Sequence, residues 1–351
     1  MSLERMLQSI QSADEKAYAA CVARFNAVAK PVGSLGRLEE LLERIAAITG
    51  SSVIDVGKKC VLVFCADNGV LAQGVAQSTS DVTTAIGRSL AAGTASVSVM
   101  ARACGADVFP VDMGMKESVE GLLDRSLARG TADISQGAAM SRTMAEKAIL
   151  AGIELVGQRK AEGYRIIATG EAGIGNTTTS SAVAAVLLGA EVERVTGRGS
   201  GLSDEGLLRK QQAIRSAIAV NQPDPNDALD VLAKVGGFDI AGMCGAFIGG
   251  AIHHVPVVMD GFISAVAALC AVRLCPAVRD YILPSHITAE PAGKMLMAEL
   301  GFAPLLHGEM RLGEGTGAVA LFPMLDLAAA VYHDAATFTE IKVEAYKPWA
   351  K

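Results

Sequence analysis

Three glycine-rich stretches carry most of the side chains in this chain that can do chemistry. The first reads Gly170-Glu171-Ala172-Gly173-Ile174-Gly175-Asn176-Thr177-Thr178-Thr179-Ser180. Its glycines let the backbone approach a ligand closely, and the Asn-Thr-Thr-Thr-Ser run opens a helix that offers free N–H groups and hydroxyls to an anion. It is neither a Walker A loop nor Gly-x-Gly-x-x-Gly. A tight strand-to-helix turn with a hydroxyl-rich cap has a similar composition, but such a turn needs no carboxylate, and Glu171 stands there. The second stretch, Gly197-Arg198-Gly199-Ser200-Gly201, precedes a helix over Asp204–Asn221 that carries Arg209 and Lys210. A cation there neutralises a phosphate as a point charge; a solvated lysine on an exposed helix face is the competing reading. The third is the sharpest: Met310-Arg311-Leu312-Gly313-Glu314-Gly315-Thr316-Gly317-Ala318. A lone Glu between glycines, beside apolar Leu312 and just before an apolar helix, has room for a substrate and suits a general base. The alternative is a Glu that merely faces a helix dipole.

Around these stand Asp67 and Asp260, each ending a strand. Either can bond ribose hydroxyls, or serve as a turn or capping residue. His286, in Pro284-Ser285-His286, is the one histidine in a turn near other candidates, whereas His253 and His254 end a helix. No His/Cys/Asp spacing matches a metal site, so no metal and no cofactor is expected. No paired acids follow any strand, which argues against ribosyl transfer from a pyrophosphorylated ribose with magnesium.

These loops need a scaffold. The chain has 351 residues, 51% hydrophobic and only 4% aromatic, so its core is built from Ala, Val, Leu and Ile. Strands are expected at Lys59–Ala66, Ala106–Met113, Tyr164–Thr169 and Val255–Met259. Each is apolar throughout rather than alternating, the mark of parallel strands covered on both faces. Ligands in such sheets bind beyond the carboxyl ends of the strands. Helices come first: Ala13–Ala29, stopped by Pro31, and a second capped by Ser34 and ended by Gly50. Another helix covers about Val319–Tyr332. The expected architecture is α/β, a Rossmann-like parallel sheet with a small helical domain built from both chain termini. It divides as residues 1–55, 56–318 and 319–351.

The net charge of −6 and the lack of any basic run argue against nucleic acid and anionic membranes as partners. The longest apolar runs, Ile240–Ile252 and Gly261–Val272, fall short of the ~18–20 residues of a spanning helix. Seven cysteines without a Cys-x-x-Cys pair, and an N-terminus lacking an apolar h-region, fit buried thiols in a cytoplasmic protein.

Seven blocks in order then carry a resemblance: Lys30-Pro31-Val32-Gly33-Ser34-Leu35-Gly36-Arg37-Leu38-Glu39, Ala66-Asp67-Asn68-Gly69-Val70, the Gly170–Thr178 loop, Lys234-Val235-Gly236-Gly237-Phe238-Asp239, Met259-Asp260-Gly261-Phe262, Pro284-Ser285-His286 and Met310–Gly315. Together they resemble the nicotinate-nucleotide:dimethylbenzimidazole phosphoribosyltransferase family across nearly the whole chain. The resemblance implies a homodimer, about six parallel strands and a three-helix small domain from both termini. It implies transfer of ribose phosphate from nicotinate mononucleotide to a benzimidazole-type base. Glu314 then matches the catalytic glutamate and Glu171 the second acid. Gly173, Gly175, Asn176, Thr177 and Lys210 match the phosphate side, with Asp260 and Ser285 toward phosphate and ribose. Ser78, Ile86, Ala172 and Leu312 fall at the base pocket. Three positions depart from the family: Asn68 where His is frequent, Ile86 at a Gln position and Ala172 at a Leu position. Two alternatives stay open, a dinucleotide-dependent oxidoreductase and a non-catalytic nucleotide-binding relative.

Overall fold

The computed structural model describes residues 2–346. Six parallel strands form one sheet: β1 (Lys59–Ala66), β2 (Asp107–Gly114), β3 (Leu123–Asp124), β4 (Ile166–Ala172), β5 (Val257–Met259) and β6 (Ile282–Pro284). Their order across the sheet is β3-β2-β1-β4-β5-β6. β1 and β4 are buried at every position, as continuous apolar runs require when helices cover both faces. The chain reverses its direction of growth between β1 and β4, the position where such sheets open a crevice.

The expected Rossmann-like sheet is therefore present, with two strands the sequence reading does not contain. β3 has two residues and β6 three, too few for apolar periodicity to register. β4 runs to Ala172, three residues past the expected end, so Glu171 sits on the strand itself.

Three helices precede β1: Leu3–Gln8, Glu15–Ala27 and Arg37–Thr49. Ser34 does not cap the last of these, contrary to expectation. The turns at Gly33 and Gly36 are left-handed and move the cap to Gly36, while the Glu39 carboxylate accepts the Leu35 N–H at 2.8 Å and the Lys30 ammonium at 2.7 Å. Gly50 ends that helix in the left-handed conformation, as expected.

Both chain ends pack together. Val28 bridges Thr337 antiparallel, and Phe25 meets Tyr332 edge-on at 4.9 Å. The last helix spans Thr316–Asp334, starting three residues earlier than expected and crossing the 318/319 division. It packs on the Ser96–Ala103 helix and on β4 as well as on Arg37–Thr49, so its N-terminus belongs to the site described below. Residues 347–351, including Trp349, lie outside the described residues.

That last helix is also long and apolar enough to cross a membrane, with a mean hydropathy of 1.3. The apolar runs considered in the sequence do not include it. Inside the protein 56% of its apolar window is buried, and its Asp326 pairs with Lys59 at 2.6 Å. It is a core helix. Ile240–Ile252 and Gly261–Val272 likewise lie in buried helices, Phe238–His253 and Phe262–Leu274. All seven cysteines are unpaired, six of them buried.

Candidate active site

A cavity of about 330 Å³ opens at the carboxyl ends of β4, β5 and β6, closed over by residues 75–86, 198–200 and 310–316. Its two ends differ in charge.

One end is built for an anion. Gly175, left-handed at φ 97°, turns the chain into the Asn176–Leu188 helix. The Asn176 and Thr178 N–H groups donate to the Gly173 and Gly175 carbonyls at 3.2 and 2.9 Å, which leaves the Thr177 N–H free in the first turn. Behind it lies Lys210, completely buried on the Asp204–Asn221 helix. Its ammonium donates to Thr177 Oγ1 at 2.8 Å and to the Gly197 carbonyl at 3.0 Å. Burial pushes this lysine down to about 8. The solvated-face reading of Lys210 is thus wrong. Nothing in the residue order distinguishes it from exposed Arg209 next door; only the helix phase does.

The other end gathers carboxylates. Glu171 is buried at the end of β4 and accepts a hydrogen bond from the Asn176 side-chain amide. Burial pushes it well above the usual carboxylate range, and the like charges of Asp239 and Asp260 add to that. Glu314 sits at φ 62° between left-handed Gly313 and Gly315, a backbone that costs a non-glycine residue ~1–3 kcal/mol and that clusters at functional sites. Its Oε2 accepts the Val97 N–H at 3.1 Å, the first turn of the Ser96–Ala103 helix. That bond leaves its other oxygen free for a ligand.

Asp260, at the end of β5, accepts Gly315 N–H at 3.2 Å and Ala318 N–H at 2.9 Å. It therefore caps the last helix and fixes the loop that carries Glu314. Burial raises Asp260 and lowers its neighbour His286, and each partly offsets the shift of the other. Ser285 is fully buried and off the cavity wall; its hydroxyl donates to the Met259 carbonyl at 2.6 Å and lies 3.0 Å from His286 Nδ1.

Ser78, Ile86, Ala172 and Leu312 also line the cavity, with Val82 and Ile174, and make this part of its wall largely apolar. Leu312 stands at the rim, 59% exposed. Of the residues nominated from the sequence, Glu171, Gly173, Gly175, Asn176, Thr177, Asp260 and Glu314 also line it, with His286. Lys210 and Ser285 stand behind the wall. Asp67 faces elsewhere: its carboxylate accepts the Lys116 N–H at 2.8 Å and holds the β2 exit. Among the described residues, no three His, Cys, Asp or Glu side chains gather to hold a metal ion.

Three participants escape the sequence reading. Asp239 opens the buried Phe238–His253 helix, and burial pushes it up to about 6; a lone acid ahead of a long apolar run is its only trace. Glu290 lines the cavity beside the Gly197 loop. Val97 contributes only a backbone N–H, which no side-chain pattern reveals.

Comparison with known proteins agrees with this geometry. The family model DBI_PRT, described as a phosphoribosyltransferase, matches residues 10–343. A protein of Ruminiclostridium cellulolyticum named nicotinate-nucleotide–dimethylbenzimidazole phosphoribosyltransferase is 45% identical over 99% of both chains. One of that name from Clostridium acetobutylicum is 43% identical, also over 99% of both. The crystal structure of CobT from Thermus thermophilus superposes with a TM-score of 0.89 at 38% identity, covering 94% of this chain and 99% of that one. This chain belongs to the DBI_PRT phosphoribosyltransferase family.

Proposed function

We propose that this enzyme moves the phosphoribosyl group of nicotinate mononucleotide to a benzimidazole-type base, releasing nicotinate and forming the α-nucleotide of the cobalamin lower ligand. The observation that carries this is the polarity of one cavity. A helix N-terminus and a buried lysine stand on one side of it, carboxylates on another, and apolar side chains line the rest. Nicotinate mononucleotide has the complementary order, an anionic phosphate and a cationic pyridinium on either side of ribose.

In the reaction a ring nitrogen of the base bonds to ribose C1. The C1–N bond to nicotinate breaks with its electron pair going to the pyridinium nitrogen. That neutralises the ring, so nicotinate leaves without an acid or a metal. The base's other ring nitrogen must shed its proton, and Glu314 takes it, a contribution typically worth ~10²–10⁴ in rate. Burial holds Glu171 well above the usual carboxylate range in the empty site. A pyridinium or ribosyl cation beside it favours its charged form, which then stabilises that cation in return. Asn176 holds its orientation.

The enzyme works in the cytoplasm as a homodimer. Support for the dimer comes from apolar side chains left outside on two helices next to the Glu314 loop. These are Val99 at 48% exposure and Leu327 at 58%, which a second subunit would cover. Sedimentation gives the mass directly.

The test is to mix the protein with nicotinate mononucleotide and a panel of benzimidazoles, purines and phenols, then separate the products by chromatography. A ribosylated benzimidazole supports the assignment; no ribosylated product with any base removes it. Glu314→Gln should lose at least ~10² in kcat while nucleotide KM stays near wild type. Full turnover would take the base role from Glu314.

A further inference from the structure

The anion end of the cavity holds a carboxylate of its own. Glu290 follows Thr288, whose hydroxyl accepts the Glu290 N–H at 3.3 Å, and precedes Pro291 and the Gly293–Leu300 helix. Its Oε2 is buried and has no hydrogen-bond partner. The side chain lies directly over the Gly197 backbone, so close that no methyl group could be added to that glycine. Lys210 binds the same residue from behind, through the Gly197 carbonyl. Cation and anion thus flank one loop at the place where the helix N-terminus points. Burial pushes Glu290 above the usual carboxylate range, and the cations Lys210 and Arg311 offset only part of that. Both acceptors of Lys210 are neutral oxygens, so Glu290 is the carboxylate that acts on its charge.

A buried acceptor left unpartnered is destabilising, and a carboxylate beside a phosphate site adds like-charge repulsion when the ligand arrives. Such a group is poorly placed to assist binding. It is well placed to balance Lys210 while the site is empty. We infer that Glu290 is the resting counter-ion of Lys210, which an incoming phosphomonoester must displace or discharge, so that it weakens ground-state nucleotide binding. This rests on the reading that phosphate occupies the Lys210 end. It adds that the chain opposes its own substrate there.

Titration calorimetry with nicotinate mononucleotide on the full-length protein and three variants tests it. Glu290→Gln, the same size without the charge, should bind the nucleotide about threefold to tenfold more tightly, the scale of a partly screened like-charge contact. Glu290→Asp, which keeps the charge, should stay near wild type. Lys210→Ala should weaken binding by tenfold or more. Unchanged or weaker binding by a folded Glu290→Gln protein overturns the counter-ion role, as does equal tightening by Glu290→Asp. Unchanged binding by Lys210→Ala overturns instead the placement of phosphate at that end.

Discussion

Gly170 offers a direct perturbation of the proposed general base, Glu314, without touching its side chain. It lies inside β4 and pairs with Val63 of β1. A glycine within a strand often marks a close approach of another backbone. Here that backbone is the Glu314 loop: a Cβ on Gly170 would stand 2.5 Å from the Glu314 carbonyl carbon and 2.7 Å from Gly315 N, and closer still to the Glu314 oxygen. Ordinary contact begins at 3.4 Å, so Gly170→Ala must move the loop by at least ~0.9 Å, because the central strand cannot give. Misplacing a catalytic group by about 1 Å costs up to ~10² in rate. Overpacking of this kind also destabilises by ~1–3 kcal/mol. We therefore expect kcat to drop by roughly 30- to 100-fold, nucleotide KM to change less than threefold, and the melting temperature to fall by several degrees. Gly137→Ala is the control, because a Cβ there meets nothing within 4 Å. Steady-state kinetics and thermal unfolding on the two variants suffice. A folded Gly170→Ala enzyme with kcat within twofold of wild type would refute the claim that loop placement limits the reaction.

Two further outcomes follow from the same cluster. Asp260→Ala leaves two N–H groups of the Glu314 loop without acceptors, each worth ~1–3 kcal/mol, so kcat should fall at least tenfold with nucleotide KM little changed; a rise confined to KM would return Asp260 to a ribose contact. Glu171→Gln should stabilise the empty protein, by an amount that depends on pH. Burial raises Glu171 in the folded state, so its contribution is fully present below the unfolded value of ~4.3 and is lost as pH climbs through the raised folded value. The melting-temperature gain of the variant should accordingly be smallest near pH 4 and reach ~2 °C or more at neutral pH; a gap that narrows with rising pH contradicts the assigned burial effect.

The long apolar strands were legible because periodicity needs length: β1 matches its expected bounds residue for residue, and the Asp204–Asn221 helix does too. The short β3 and β6 were not, since pairing with a neighbour, not local pattern, makes them strands. Glycine spacing marked the loops at 170–180 and 310–318, and they do converge on one cavity. What spacing could not convey was direction. Lys210 and Arg209 are adjacent, yet one is buried against Thr177 and Gly197 and the other is exposed. Asp260 and Asp67 both end strands of one sheet with the same signature. One nonetheless anchors the base loop while the other holds a turn outside the site. Ser34 failed as a cap because two left-handed glycines reset the helix start, a conformational fact invisible in propensity.

The way the fold tolerates its acids points to which of them responds to substrate. Asp260 is offset by two backbone N–H groups and by His286. Asp239 has the Ile240 N–H at 2.9 Å, and Glu314 has the Val97 N–H at a helix start. Each of these three carboxylates has a main-chain donor. Glu171 has a single side-chain amide, while Asp239, Asp260 and Glu314 all raise it further. A cation arriving near these four acids therefore finds in Glu171 the one that has no main-chain donor. Because that group ends β4, a strand held by pairing on both sides, the cation and not a movement of the strand changes its state.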